Sequence, residues 1–280
     1  TVLLPALQPF VEQHAWGAGC TLLGVLVLVV LVPLNLLLRR RPEDIGLAPD
    51  GDVDTPAAAG ARRVNVVDPA WAAIDWTLAR AMRTARFWWI AVAYFAALFS
   101  WYAIQVHQTK YLTETGFSAQ QAAWALGAVS LAGVPGQIAL GWLSDRIGRE
   151  IVWAIGSLGF CLTYVALLAL PAYPAMPLLY TMVIAQGALG YGLTSVVGAI
   201  PAEIFEGKHY GPIFGTLMLS ALAGGAVGPW FMGFVHDRTG SYTLAFSVAI
   251  ACSLLSAFAI WRAAPSGVRV VAGRVRVAQA

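Results

Sequence analysis

Residues 141–150 read GWLSDRIGRE, a short charged stretch set between two long apolar ones. Residues 120–140 before it and residues 151–170 after it contain no Lys, Arg, Asp or Glu. A hydrocarbon core about 30 Å thick needs about 20 apolar residues per helix, so each flank is long enough to cross a membrane. The sequence therefore predicts two membrane-spanning helices joined by a tight, charged loop.

The same pattern extends over most of the chain. The 280 residues are 59% hydrophobic and 11% charged, against about 45–50% and about 25% in soluble domains. Apolar stretches of spanning length lie at about 18–38, 88–109, 120–143, 151–170, 177–200, 212–235 and 243–261. The three cysteines fall inside three different stretches, without disulfide or zinc-ligand spacing. We predict an all-α integral membrane protein with seven transmembrane helices.

The distribution of basic residues predicts the orientation. Seven spans place fifteen of the 17 Lys and Arg residues on one face, with only Lys110 and Arg238 on the other. Basic residues concentrate on the cytoplasmic side of membrane proteins. We therefore expect a multi-pass protein of the plasma or bacterial inner membrane with a cytoplasmic C-terminus. The net charge of +3 is too small and too dispersed to predict a nucleic-acid partner.

The sequence argues against several functional classes. No predicted span contains a Lys for a retinal Schiff base, and the chain has no P-loop. The four histidines are His14, His107, His209 and His236, and none pairs with another at metal-ligand spacing. We predict no enzyme, no metal and no cofactor. Because the sequence has no P-loop for ATP, any energy for function would come from a gradient.

Neutral hydrogen-bonding residues inside the spans are the candidate binding groups. Polar groups are costly in lipid and usually face a bundle interior or a water-filled cavity. The candidates for a substrate cavity are Trp101, Gln105, His107, Gln108, Gln137, Gln186, Tyr191, Ser195 and Ser220. Trp101, Gln105 and Gln108 share one helical face, while His107 points elsewhere. The alternative is that these groups merely bond neighbouring helices, a contact worth about 0.6 kcal/mol on average.

The charged loop resembles the G-x-L-x-D-R-x-G-R-[KR] loop of the major facilitator superfamily. Gly141, Asp145, Arg146, Gly148 and Arg149 match it, and Glu150 stands where a basic residue is usual. Residues 41–51, 201–205 and 228–242 are similar to other loops of this family. The resemblance implies that the Asp145 loop braces one of two alternating states.

Matched to this family, the first span would be the sixth helix of a twelve-helix transporter, and the other six its second half. Residues 1–38 would then hold an outer loop and the last helix of the first half, and residues 39–87 a cytoplasmic loop between halves. Residues 88–262 would form the six-helix bundle and 263–280 a cytoplasmic tail. We expect a fragment whose missing N-terminal half is required for transport.

The long segment 39–87 also carries a candidate amphipathic helix. Asp68 and Asp75 are candidate N-caps, with Pro69 in the first turn. Trp76 and Arg83 at helical spacing indicate a basic helix lying on the inner leaflet. A solvated linker that only fixes topology is the alternative.

The resemblance implies a secondary active transporter that moves a small organic solute by alternating access in a lipid bilayer. The loop at residues 41–51 and the stretch 107–118 favour a monocarboxylate or related organic anion. The sequence leaves symport, antiport and uniport open; for symport with a proton or another coupling ion, His107 is the titratable candidate. The alternatives are a drug or hydrophobic-compound efflux carrier, and a seven-helix receptor or scaffold.

Overall fold

A computed structural model of the chain describes residues 3–37, 65–173 and 175–274. It divides into two compact units, Thr1–Arg63 and Val64–Ala280. In the first unit, helix α1 spans Leu3–Leu37. Helix α1 begins well before the predicted span at 18–38 and includes residues that the sequence analysis assigns to an outer loop. Its part long and apolar enough to cross a membrane is Gly17–Leu37.

The second unit is a bundle of long helices with short connections. Its helices are α2 (Pro69–Ala72), α3 (Leu78–Ala81), α4 (Ala85–Glu114), α5 (Ala119–Ile147), α6 (Arg149–Ala169), α7 (Met176–Ile184), α8 (Leu193–Val196), α9 (Ala199–Ile204), α10 (Tyr210–Thr239) and α11 (Thr243–Ala263). Between α7 and α8 the chain forms a π-helical turn, Ala185–Leu189, and a 3₁₀ turn, Gly190–Gly192. Together, α7 to α9 make one candidate span, Met176–Ile204.

Side-chain caps define where the long helices begin. The Thr84 hydroxyl accepts from the Phe87 N–H at the start of α4. Ser118 and Gln121 form a reciprocal capping box at the start of α5, which satisfies two backbone N–H groups that lack helical partners. Gly240 ends α10 with a φ of 66°, a left-handed conformation that favours glycine.

Small residues allow the helices to pack closely. A Cβ added to Gly224 or Gly228 of α10 would lie 2.8 or 3.0 Å from the carbonyl carbon of Phe95 or Phe99 in α4. At Gly136 of α5 it would lie 2.6 Å from the Ala188 Cα in the π-helical turn. Backbone approach of this kind is how membrane helices gain van der Waals contact. The bundle interior that results is filled by large, fully buried rings such as Trp153.

The seven predicted spans are confirmed in the described part of the chain, where seven helices are long and apolar enough to cross a membrane. The all-α fold class is likewise confirmed. Residues 38–64, which comprise the end of the first predicted span and the first part of the predicted loop 39–87, lie outside the described residues, as does the tail end 275–280.

The single amphipathic helix predicted from the stretch after Asp68 is instead two one-turn helices, α2 and α3. Asp68 caps α2 as predicted, accepting from the Trp71 N–H at 3.0 Å. The second cap is Thr77 rather than Asp75. Trp76 is 4% exposed, and its ring lies 5.1 Å from that of Phe205. It therefore packs into the bundle, which interrupts a continuous helix.

Candidate functional site

The charged loop forms a network at the end of the bundle where α5 meets α6. Gly148 turns the chain between the two helices with a φ of 103°, which a side chain would strain. Arg149 then lies 2.7 Å from the Asp145 carboxylate and 2.8 Å from that of Glu203 in α9. It also donates to the Ser144 hydroxyl. One guanidinium thus joins three helices.

The C-terminal segment after α11 packs onto the same end. The Ser266 N–H donates to the Glu150 carboxylate at 2.7 Å. Arg269 is 2.5 Å from the Glu206 carboxylate and donates to the Glu203 carbonyl oxygen at 2.8 Å. Its backbone also bridges to Val66 in antiparallel fashion. The described part of the tail is therefore folded against the charged loop.

The remaining loop residues complete this end of the bundle. The Arg146 guanidinium lies 3.7 Å from the centre of the Trp142 ring, a cation–π contact. A Cβ on Gly141 would lie 3.3 Å from the Ser195 Cβ. Gly141 thus permits close packing of α5 against α8.

A cluster of neutral polar side chains lies deeper in the bundle. The Trp101 ring stacks on Tyr191, with centroids 4.2 Å apart and planes at 13°. The Tyr191 hydroxyl donates to the Gln105 amide oxygen at 2.9 Å. The Thr194 hydroxyl donates to the Gln137 amide oxygen at 2.9 Å. The structure thus brings together four of the predicted residues, Trp101, Gln105, Gln137 and Tyr191, from three spans.

A cavity of about 190 Å³ adjoins this cluster. Leu98, Trp101 and Tyr102 of α4, Trp153 of α6, Thr194 of α8 and Met218 of α10 line it. No charged side chain is among its lining residues. The cavity can therefore accept an apolar or planar group and offer it a hydroxyl, but no countercharge.

Three predicted cavity residues have other partners. Nε2 of His107 lies 3.1 Å from the Pro229 carbonyl oxygen, which can only accept, so Nε2 carries a proton. Ser220 donates to the Ala91 carbonyl oxygen at 2.8 Å, joining α10 to α4. Ser195 donates to the Gly192 carbonyl oxygen at 2.6 Å within its own segment.

His107 belongs to a titratable group at the opposite end of the bundle from the charged loop. Nδ1 of His107 lies 3.3 Å from the Tyr242 hydroxyl, and the His236 ring lies 4.2 Å from that of Tyr242. His236 is also 3.4 Å from the Glu114 carboxylate. Burial, with Glu114 and Asp237 nearby, raises the pKa of Tyr242 to about 12. Tyr242 therefore stays a neutral hydrogen-bond donor at physiological pH.

Two predicted glutamines are fully buried. Gln108 and Gln186 are both 0% exposed, and their amide atoms have no hydrogen-bond partner among the described residues. Gln186 lies in the π-helical turn, an irregularity often found at functional sites. Neither lines the cavity described above.

The cavity also contains residues that the polar pattern missed. Trp153 and Met218 were not predicted because polarity was the criterion and both are apolar. Tyr102 also lines the cavity and was not among the predicted residues. No group of three His, Cys, Asp or Glu side chains in the described ranges could hold a metal ion.

A bundle of apolar spans around a neutral polar cluster, with a charged network at one end, defines a multi-pass helical membrane protein. The chain belongs to the Major Facilitator Superfamily, whose family profile matches residues 90–276. The resemblance read from the loop is thereby confirmed, as is the prediction that the chain is not an enzyme.

Similar proteins carry several solutes. The glycerol-3-phosphate transporter of Bacillus subtilis is 28% identical over 77% of this chain and 49% of its own length. Monocarboxylate transporter 13 of Bos taurus is 26% identical over 88% of this chain and 52% of its own length. The gentisate transporter of Corynebacterium glutamicum is 25% identical over 92% of this chain and 54% of its own length. The chain thus spans about half the length of these relatives.

Proposed function

We propose that this chain is the second half, with one preceding helix, of a secondary active transporter for a small organic anion of the monocarboxylate class. The transporters named above carry glycerol-3-phosphate, monocarboxylates or gentisate. Each of these solutes is a small organic anion at neutral pH, which favours an anion over a neutral drug.

The observation that carries the proposal is the cluster around Tyr191. Its hydrogen bond to Gln105, with the neighbouring pair formed by Thr194 and Gln137, joins three spans beside a cavity. A few placed neutral donors and acceptors in a mostly apolar site fix the orientation of a small ligand. Because the lining carries no charge, the carboxylate would be neutralised by residues outside this cavity. We assign that role to an N-terminal half.

The charged loop would act as the gate of one state. Arg149 is the shared partner of Asp145 and Glu203, so separation of α5, α6 and α9 would break both ion pairs. A contact present in only one state shifts the equilibrium between states. We place this end, with Arg262 and the C-terminus, on the cytoplasmic side of the plasma or inner membrane.

Symport with a proton is the coupling we favour. His107 and His236 are the histidines of the titratable group opposite the gate, and histidine changes charge near physiological pH. His236 of α10 lies 3.4 Å from the Glu114 carboxylate of α4, so the two helices are in polar contact at that end.

The test is uptake by proteoliposomes that contain the full-length transporter. We expect a monocarboxylate such as lactate to accumulate against its gradient when a proton gradient is imposed, and glycerol to be excluded. Uptake without dependence on any gradient would refute secondary active transport. Transport restricted to neutral solutes would refute the anion assignment.

The apolar cavity lining favours a second candidate, an efflux carrier for hydrophobic compounds. Cells expressing that carrier would retain less of an uncharged fluorescent dye than cells without it. Dye retention equal in both, together with carboxylate uptake, would eliminate this candidate.

A further inference from the structure

The cavity beside Tyr191 has the size of a single ring. Its volume is about 190 Å³. An apolar cavity of about 150 Å³ in a protein interior binds benzene. The space is therefore large enough for one six-membered ring, and a two- or three-carbon chain would leave more of it empty.

Aromatic rings form much of its wall. Trp101, Tyr102 and Trp153 all line the cavity, with Leu98 and Met218 as aliphatic neighbours. Aromatic rings prefer to meet one another in offset-stacked or edge-to-face geometry. Such a wall favours a planar ring over a charged or strongly hydrated group.

The wall is held in place by contacts outside the cavity. Trp101 is stacked on Tyr191 and lies 5.5 Å from the Phe160 ring. The Trp153 indole N–H donates to the Ser256 hydroxyl at 2.9 Å, and its ring stacks on Tyr94 at 5.2 Å. Since these rings are fixed by other partners, the cavity is preorganised to receive a ring.

Its polarity fixes which part of a solute can enter. No charged residue lines the cavity, and Thr194 is the hydroxyl next to Gln137. A carboxylate buried here would lose its hydration without gaining a countercharge, which is prohibitively costly. The charged end of a solute must therefore lie outside, with the uncharged end inside.

We propose that the cavity binds the ring of an aromatic monocarboxylate, a benzene-sized ring whose carboxylate points out of the cavity. This inference rests on the proposed function and adds a preference within its substrate class: monocyclic aromatic acids bind more tightly than short aliphatic ones. A hydroxyl on the ring would meet Thr194.

The experiment is equilibrium binding of two radiolabelled acids to the purified full-length transporter. 4-Hydroxybenzoate and lactate each carry one carboxylate and one hydroxyl, so they differ in the ring. We expect the Kd for 4-hydroxybenzoate to be at least tenfold lower than that for lactate. Equal affinities, or tighter binding of lactate, would overturn the ring site and leave anion transport standing. Binding of neither acid would overturn the proposed function as well.

A pair of variants localises the effect. Ala97 lines this cavity and is 2% exposed, so Ala97→Leu places three additional carbons in the ring space. Ala96, on the same helix and 1% exposed, lines a separate cavity with Trp88 and Val92, which makes Ala96→Leu the matched control. We expect the ratio of the two affinities to fall at least tenfold in Ala97→Leu and to stay unchanged in Ala96→Leu.

Met218→Phe narrows the same cavity from α10. It is the second variant for this binding test if Ala97→Leu fails to fold. It should lower the preference for 4-hydroxybenzoate in the same direction. An affinity ratio unchanged in a folded cavity variant would place the ring elsewhere and overturn the assignment.

Discussion

Replacing Glu203 with glutamine should weaken the network at the charged loop. Its carboxylate accepts from Arg149 at 2.8 Å, and the two side chains are 18% and 16% exposed. Breaking a fully buried ion pair costs about 3–5 kcal/mol, and breaking an exposed pair costs about 0–1 kcal/mol. This pair is mostly buried, but Arg149 keeps Asp145 as a partner. We therefore expect Glu203→Gln to lower the free energy of unfolding by about 2 kcal/mol.

Thermal unfolding of the purified full-length protein, followed by tryptophan fluorescence, measures this effect. About 2 kcal/mol corresponds to a fall of about 4–8 °C in Tm for a unit of this size. Glu206→Gln is the matched control, because Glu206 is 58% exposed although it contacts Arg269. It should lower Tm by no more than about 4 °C, at most half of the shift expected for Glu203→Gln. Equal shifts in the two variants would refute the argument that burial makes Glu203 the stronger partner.

Three further changes test other parts of the bundle. Asp145→Asn removes one partner of Arg149 at 2.7 Å; uptake should fall while abundance in the membrane, measured by immunoblot, stays constant, and a normal rate would contradict the gate. Gly224→Ala places a Cβ 2.8 Å from the Phe95 carbonyl carbon and should cost about 1–3 kcal/mol, seen as a lower Tm; Gly127→Ala, with nothing within 4 Å, should not. Tyr191→Phe removes the donor to Gln105 and should lower the free energy of unfolding by about 1 kcal/mol, seen as a lower Tm. An unchanged Tm would count against that hydrogen bond.

The sequence predicts the spans well because the membrane requires about 20 apolar residues for each crossing. The helix ends are less predictable, since they depend on single caps and on charged side chains. The third span, predicted at 120–143, continues as α5 to Ile147. Asp145 and Arg146 are tolerated in the last turn because Arg149 and the Trp142 ring hold them.

The polar cluster was only partly predictable from helical periodicity. Periodicity identifies which residues share a face of a helix. It does not identify the positions along the helix at which that face is covered by neighbouring helices. Trp101, Gln105 and Gln108 share a face, yet Gln105 contacts Tyr191 while Gln108 is fully buried. Trp153 lies on a different span, and only the packing of α6 reveals its place in the cavity.

The acidic residue at position 150, where the family pattern has a base, has a structural reason in this chain. The Glu150 carboxylate accepts from the Ser266 N–H at the first turn after α11. A Cβ on Gly273 would lie 2.7 Å from the Arg146 Cα, so the tail also packs directly on the loop. A lysine or arginine at position 150 would offer only donors to a backbone N–H that needs an acceptor. The acid at this position therefore belongs with the folded tail, since it supplies the acceptor by which Ser266 is held against the charged loop.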